Sequence, residues 1–523
     1  MKIPIAKIII LLVSLFFLLI IGYFTTLNWL DPDFGWHLKT GELILERGVP
    51  KIDWYSFTMP DFLWIDHEWL TDVFIFKINS LFGFKILLLI FLFIATIAFF
   101  VSIKLKYFWY YFFPVFFGYF SCLNFFGIRP QMITLFFIAV LLKLIDSSLK
   151  NPNSRLIYLC PLLFLIWTNL HGGFFAGLFI LFLITALEGF KKTTLFKKII
   201  SGKHFSGQKF KENESKTIFS LLIISIISFL ATLVNPYGIR IYEEVFRSIG
   251  DSYVGLYITE WLPLFFSTGT NIFQISYLAV FLGLLIPQYK EIELNHLTLA
   301  TIFLAFALLH QRHFPIYVII TIPIFAEVLF QTKQKIPSEK LQFLFGGIKK
   351  WRMILIFIGI ISYGLHPFLA NSQRSISYPE KAISFLKTLP LSENLFNEYG
   401  WGGYLIWKIP ERKVFIDGRM PSWRKDDRFI FGDYLKIEKT EKGFQEILAQ
   451  YEIKIVLLRN NKKEGAKINN KAKTENRLSR FLKRQNWLLK ALRISSEKSL
   501  KEELIKSGWQ VIYEDETAII LRC

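Results

Sequence analysis

Repeated apolar runs close to twenty residues long constrain this chain more than any other feature. They fall near residues 8–28, 84–103, 108–125, 131–145, 156–170, 173–190, 217–234, 272–288, 297–311, 314–331 and 351–369. A helix needs about 20 such residues to cross the hydrocarbon of a bilayer. The expected fold class is therefore a polytopic α-helical membrane protein of about eleven spans. Composition agrees, with 53% hydrophobic and only 20% charged residues. Phe alone supplies 56 residues, a richness that suits lipid contact and carries no chemistry.

The formal charge of +20 raises the question of nucleic acid, but its distribution points to topology instead. The densest basic stretch, 191–216, holds eight Lys against two Glu and lies between two apolar runs. Cytoplasmic loops are enriched in Lys and Arg because such segments resist translocation. With the N-terminus inside, Lys104 and Lys106, the segment 143–155, the loop 191–216, Lys290 and the segment 333–352 all fall in the cytoplasm. The first run has a short basic start and no small-residue cleavage site, so it reads as a retained span of a multi-pass plasma (inner) membrane protein. Cys122, Cys160 and Cys523 are too scattered for a disulfide framework or a zinc site.

This orientation places a short set of segments outside the cytoplasm. The first loop, about 29–83, carries nine Asp or Glu against four Lys or Arg. Its Trp54, Tyr55, Phe57, Trp64, Trp69 and Phe74 suggest helices lying in the membrane interface, and 239–260 looks similar. The expected division is a membrane domain over 1–370, including that loop, and a soluble extracytoplasmic α/β domain over 371–523. In the tail, 378–389 reads as a helix, while 394–398, 413–417, 454–459, 509–515 and 517–522 read as strands. Helical patterns near 436–450 and 476–506 alternate with them, and the Lys-rich stretch 462–477 reads as a solvated loop.

The residues able to carry chemistry gather in the outer segments. Asp31-Pro32-Asp33 stands where the first run ends, and His37 follows. Pro32 stops a helix and holds the two acids on a turn. They suit general base catalysis, metal binding with His37, or simple capping of the next helix by Asp33. His67-Glu68 recurs later in the loop, where Glu68 can join the acids and His67 can bind phosphate or metal. Arg129, His171, Asn235, Glu260, Arg312 and His313 lie beside Pro or Gly at expected span ends, where broken helices free backbone groups. Each is explicable as a turn. Together they supply the cations and acids that suit an anionic lipid-phosphate substrate beside a catalytic carboxylate. No Walker A loop, dinucleotide fingerprint, GxSxG elbow or HExxH motif occurs in a supporting context. Asn397 to Tyr404 and Asp417-Gly418-Arg419 suit either stacking against a sugar or a turn at the membrane.

Asp31-Pro32-Asp33 after the first span, the long first loop, the many spans and a C-terminal outer domain resemble the GT-C glycosyltransferases, and the motifs DPD (31–33), HEW (67–69), RPQ (129–131), HGG (171–173), NPYG (235–238) and RHFP (312–315) carry a further likeness. The closer similarity is to a group of bacterial membrane proteins described as glycosyltransferase-like. The resemblance implies an inverting hexosyl- or pentosyltransferase that uses a polyprenyl-phosphate-linked sugar and an extracytoplasmic lipid, glycan or protein acceptor. It assigns catalysis to Asp31 or Asp33; from the residues themselves, Glu68 is a further catalytic candidate. His37, His67, Arg129, His171, Asn235, Glu260, Arg312 and His313 would bind substrate. Some members need a divalent metal such as Mg or Mn, for which Asp31, Asp33 and His37 are the local candidates. Many carry a further acid in the second outer loop, where this chain has only Arg129 within 124–131.

Two other readings stand beside the enzyme. A transporter or flippase for a lipid-linked glycan would place charged groups at the bilayer midplane, whereas the apolar cores here are nearly free of them. A non-catalytic assembly factor would work through the tail. The expected partners are the lipid-linked sugar and membrane lipid, with no nucleic acid.

Overall fold

Sequence that crosses hydrocarbon must satisfy its own backbone, and a helix does so within one segment. The computed structural model describes residues 5–104, 107–200, 215–266, 272–335, 378–460 and 499–523. Every expected apolar run up to residue 331 coincides with a helix. Among the described residues, seven helical stretches are long and apolar enough to cross a membrane: Ile5–Thr26, Trp69–Val101, Gln131–Lys150, Phe174–Lys191, Ser215–Thr232, Ile272–Glu291 and Gln311–Lys335. Phe108–Cys122, Leu156–Leu170 and Leu294–Leu309 are apolar but shorter. The expected run 351–369, the loop 462–477 and most of the pattern 476–506 lie outside the described residues.

Two compact units divide the chain: Met1–Leu30, Phe82–Ile241 and Thr259–Arg374 form the first, and Asp31–Leu81, Tyr242–Ile258 and Ser375–Cys523 the second. The sequence suggested a single boundary near 370. By contact, the first outer loop and the segment 242–258 instead group with the tail.

In the first unit, the helix Phe314–Lys335 is central, packing against Phe108–Cys122 and Leu294–Leu309. Gly118 permits the first approach, because a Cβ there would stand 2.6 Å from Val318 Cγ1. Tyr277 meets Tyr317 and Phe325 edge to face beside this helix, as Phe281 meets Tyr317, and Tyr277 and Thr321 share a buried hydroxyl hydrogen bond of 2.9 Å. Aromatic residues thus build the interior as well as the lipid-facing surface: Phe91, Phe99 and Phe108 are fully buried, while Phe16, Phe24 and Phe219 are exposed.

The second unit is built on a four-stranded mixed sheet in the order β1-β4-β6-β5. Here β1 is Asn394–Asn397, β4 Ile453–Arg459, β5 Gln510–Glu514 and β6 Ala518–Arg522, while β2 (Arg424–Lys425) and β3 (Arg428–Phe429) form a separate ribbon. The β1–β4 pair is parallel and the other two pairs are antiparallel. Helices Glu380–Leu386, Ile430–Glu438, Phe444–Gln450 and Leu500–Lys506 accompany it. The 436–450 pattern is broken between Glu438, where one helix ends, and Gly443, whose φ of 92° caps the start of the next.

Two expectations need correction. The segment 413–417 joins no strand of the sheet; its Val414 instead bridges Ser56, with the Val414 N–H donating to Tyr55 O at 3.0 Å and the Phe57 N–H to Val414 O at 3.2 Å. Nor does the aromatic part of the first loop form interfacial helices between Gly48 and His67. Those residues are turns, and Tyr55, Met59, Phe62 and Trp64 are buried as core. Phe62 stacks on Trp423 at 4.3 Å. The segment 242–258 does form helices, Ile241–Gly250 and Ser252–Tyr257. It is held to the tail by an Arg424–Asp251 ion pair and a hydrogen bond of 3.1 Å from Lys439 to the Tyr257 hydroxyl.

Candidate active site

The first helix ends at Thr26, a short turn through Pro32 follows, and the next helix, Phe34–Arg47, starts with Asp33 at its N-cap. The two acids of this turn then part. Asp31 is buried, and its Oδ1 accepts the Asp33 N–H at 2.9 Å, closing the turn. Asp33 makes no capping bond. It is half-buried, and its Oδ1 accepts the Trp36 indole N–H at 3.0 Å. It lies against Gly418, where any Cβ would collide with its carboxylate.

One turn beyond Asp33 on the same helix, His37 enters a buried acid cluster. Trp36 covers its ring at a centroid distance of 3.6 Å. Nδ1 lies 2.6 Å from Asp72 Oδ1, and Nε2 lies 3.6 Å from Glu68 Oε2. The other Glu68 oxygen faces His67 Nε2 at 3.5 Å. Asp66 Oδ1 accepts the Glu68 N–H at 3.1 Å, which fixes the turn leading into the helix Trp69–Val101. Burial above all pushes the Glu68 carboxyl up to about 8. His37 opposes that shift, and the negative fields of Asp72, Asp66 and Asp33 add to it. Asp66 is likewise raised well above the carboxylate range, by burial first and by the charge of Asp72 second.

Sequence reasoning found His37, His67 and Glu68 but missed Asp66 and Asp72. The signal was there: Asp72 stands four residues after Glu68, the spacing that returns a side chain to the same helical face.

Asp417-Gly418-Arg419 proves to be a clamp. Arg419 donates through Nε to Asp417 Oδ1 at 2.8 Å and through Nη2 to Asp417 Oδ2 at 2.7 Å and Asp53 Oδ1 at 2.9 Å. Its guanidinium lies over Tyr55, Trp64 and Trp423. Asp53 also accepts from the Ser56 hydroxyl at 2.5 Å. This arrangement fixes the aromatic loop, and its polar groups face one another. Asn397 is similarly occupied, accepting the Phe415 N–H at 2.8 Å and donating to Ile416 O at 2.9 Å.

A second set belongs to the helical unit. Arg129, just before the helix Gln131–Lys150, pairs with Glu260 at 2.5 Å and lies over Trp29 at 4.7 Å. Arg312 lies over Trp261 at 4.4 Å. His313 meets Trp261 edge to face at 6.1 Å. Two main-chain staples hold 259–262 to 310–313: the Gln311 N–H donates to Leu262 O at 3.0 Å, and the His310 ring bonds Trp261 O at 2.6 Å. Burial raises Glu260, but the charges of Arg129 and Arg312 overcome it and hold the carboxyl below its ordinary value. Arg129, Glu260, Arg312 and His313 are thus brought together as an aromatic-lined group with two cations and one anion.

The remaining expected residues serve their own turns. His171 Nδ1 accepts the Gly173 N–H at 3.1 Å and bonds the Thr134 hydroxyl at 2.6 Å. Asn235 accepts the Tyr237 N–H at 2.8 Å and donates to Thr232 O and Gly238 O. The expected metal set is also not assembled: Asp31 closes its turn, while the His37 nitrogens face Asp72 and Glu68. Among the described residues, no group of three or more His, Cys, Asp or Glu side chains is arranged to hold a metal ion.

No protein-family model matches this chain, and no curated protein matches it. Solved structures do. The Archaeoglobus fulgidus oligosaccharyltransferase tethered to an acceptor peptide containing the NVT sequon superposes with a TM-score of 0.51 at 10% identity, covering 86% of this chain and 69% of that one. The apo form of the same enzyme gives 0.50 at 10% identity over the same shares. At this identity the likeness is one of fold: this chain shares the fold of the Archaeoglobus oligosaccharyltransferase.

Proposed function

We propose that this protein is a membrane glycosyltransferase moving a sugar from a polyprenyl-phosphate-linked donor to a lipid, glycan or protein acceptor outside the cytoplasm. The observation that carries this reading is the buried carboxyl cluster following the first span in a chain of this fold. Glu68 is held up to about 8, with His37 and Asp33 within its electrostatic reach. A carboxyl poised near neutrality suits proton transfer. In the reaction, the acceptor heteroatom attacks the anomeric carbon and the bond from that carbon to the phosphate oxygen breaks. The lipid phosphate leaves with the electron pair, and the acceptor proton passes to a carboxylate.

Asp33 is favoured over Asp31 for that role, because Asp31 already accepts the N–H of its own turn. Arg129 and Arg312 are the cations assigned to a phosphate. Inversion at the anomeric carbon, about eleven spans, a cytoplasmic N-terminus, an extracytoplasmic tail and the plasma membrane complete the reading. No step is assigned to a metal. A peptide acceptor is among the candidates, given the acceptor peptide tethered to the Archaeoglobus enzyme.

The transporter reading gains little support. The fully buried pair of Glu188 and Lys191 sits in the last turn of its helix, Phe174–Lys191, and not at its middle. The test supplies the purified protein with polyprenyl-phosphate sugars and an acceptor pool. Asp33→Asn should lose about 100-fold or more of turnover, and Asp31→Asn less. Undiminished turnover in Asp31→Asn, Asp33→Asn and Glu68→Gln would remove the mechanism.

A further inference from the structure

The helix Gln131–Lys150 has 20 residues, so its two ends stand about 30 Å apart. Arg129 precedes one end. At the other, a cleft opens among the helices Gln131–Lys150, Phe174–Lys191, Leu294–Leu309 and Phe314–Lys335, enclosing ≈ 860 Å³ with its mouth included. Nothing in the proposed reaction uses it.

Its walls and its mouth differ in chemistry. Leu142, Ile184, Leu299 and Ile320 line the apolar depth. Lys104, Lys143 and Lys150 line it with Asp146 and Glu293, three cations to two carboxylates, and Glu327 lies within electrostatic reach of Lys104. Asp146 is shared: Lys104 Nζ lies 3.5 Å from one oxygen, and Lys150 pairs with the other. The lining itself therefore carries one more ammonium group than carboxylates, with Glu327 lying beyond it. Lys143 is exposed.

Two polar atoms beside the cleft lack hydrogen-bond partners among the described residues, Asn295 Oδ1 and His296 Nδ1. Asn295 is buried and its amide nitrogen is already committed to Glu188 Oε1 at 2.6 Å. Buried polar atoms in native proteins are nearly always satisfied, so these two await a donor and an acceptor from something that enters.

We infer that this cleft binds the phosphate-bearing head group of a membrane lipid, with its chain along the apolar wall. Basic pockets between membrane helices hold such head groups because the phosphate meets lysines while the chain stays in hydrocarbon. Lys104 and Lys150 face the phosphate, and Asn295 Oδ1 and His296 meet head-group hydroxyls. The site is separate from Arg129 and Arg312 and does not depend on the proposed reaction.

The test uses the full chain, purified in detergent and stripped of lipid, with bound lipid counted by native mass spectrometry. Phosphatidylglycerol should be retained about tenfold more tightly than phosphatidylcholine of the same chains. The double variant Lys104→Ala/Lys150→Ala should lose that preference. Lys143→Glu, at an exposed position that folding tolerates, should weaken it as well. Inorganic phosphate should fail to displace the lipid, because it gains nothing from the apolar wall. Equal retention of the two lipids, equal retention by wild type and both variants, or displacement by inorganic phosphate at matched concentration would each overturn the inference.

Discussion

Glu68→Gln separates the proton-holding role of Glu68 from its packing. The carboxyl is moved from its ordinary 4.5 to about 8, chiefly by burial. Its side chain is 8% exposed, so solvent screening changes the argument little. A group whose folded value is raised is most favourable to folding below its unfolded value. As pH climbs from about 4.5 to about 8, the unfolded chain gives up the proton while the folded chain keeps it, so stability falls across that window and then levels off. At about 1.4 kcal/mol per pH unit, the loss from this one residue is roughly 3–5 kcal/mol by pH 8. Glutamine keeps the shape and cannot ionise. The variant should therefore match wild type near pH 4.5 and exceed it progressively toward pH 8, while losing turnover. Thermal unfolding of both proteins in one detergent, followed by tryptophan fluorescence over that range, gives the difference curve. A flat difference, or a variant less stable than wild type at pH 8, would refute the burial argument.

Further outcomes follow from the same geometry. Arg419→Met leaves Asp53 and Asp417 buried without their cation and should destabilise the tail-containing unit by about 3–5 kcal/mol, seen as a lower unfolding midpoint. Gly35→Ala drives a methyl into Gly403 O, a backbone atom that cannot move aside cheaply, and should cost about 1–3 kcal/mol by the same assay. Gly418→Ala collides with Asp33, so on the proposed function it should lower turnover more than it lowers the unfolding midpoint. Glu260 is held below its ordinary value by Arg129 and Arg312. Its stabilising contribution is present above about 4.5 and lost as pH falls through the folded value, so Glu260→Gln should flatten the acid limb of the wild-type stability curve.

The apolar runs determined the helices up to residue 331 because helical hydrogen bonds close within a few residues, and hydrocarbon leaves the backbone no alternative. Four of the five expected tail strands were legible for a similar reason: 454–459 and 517–522 are short β-branched and leucine-rich runs bounded by turns. The run 413–417 has the same local character and still forms no sheet strand, since its partner, Ser56, lies in the first loop. Pairing across such a separation is decided by burial, which local sequence does not encode. The same holds for the chemistry. Asp31 and Asp33 were visible as acids at a span end, and Glu68 as one further along the loop, but only the folded chain distinguishes Asp31, bound into its turn, from Asp33. Arg419 reaches Asp53 across 366 residues, and Asp72 meets His37 across 35. Charge placement along the chain set the expected topology. The environment that makes one carboxyl a clamp, closes a turn with another and raises the pKa of a third exists only after the chain has closed around it.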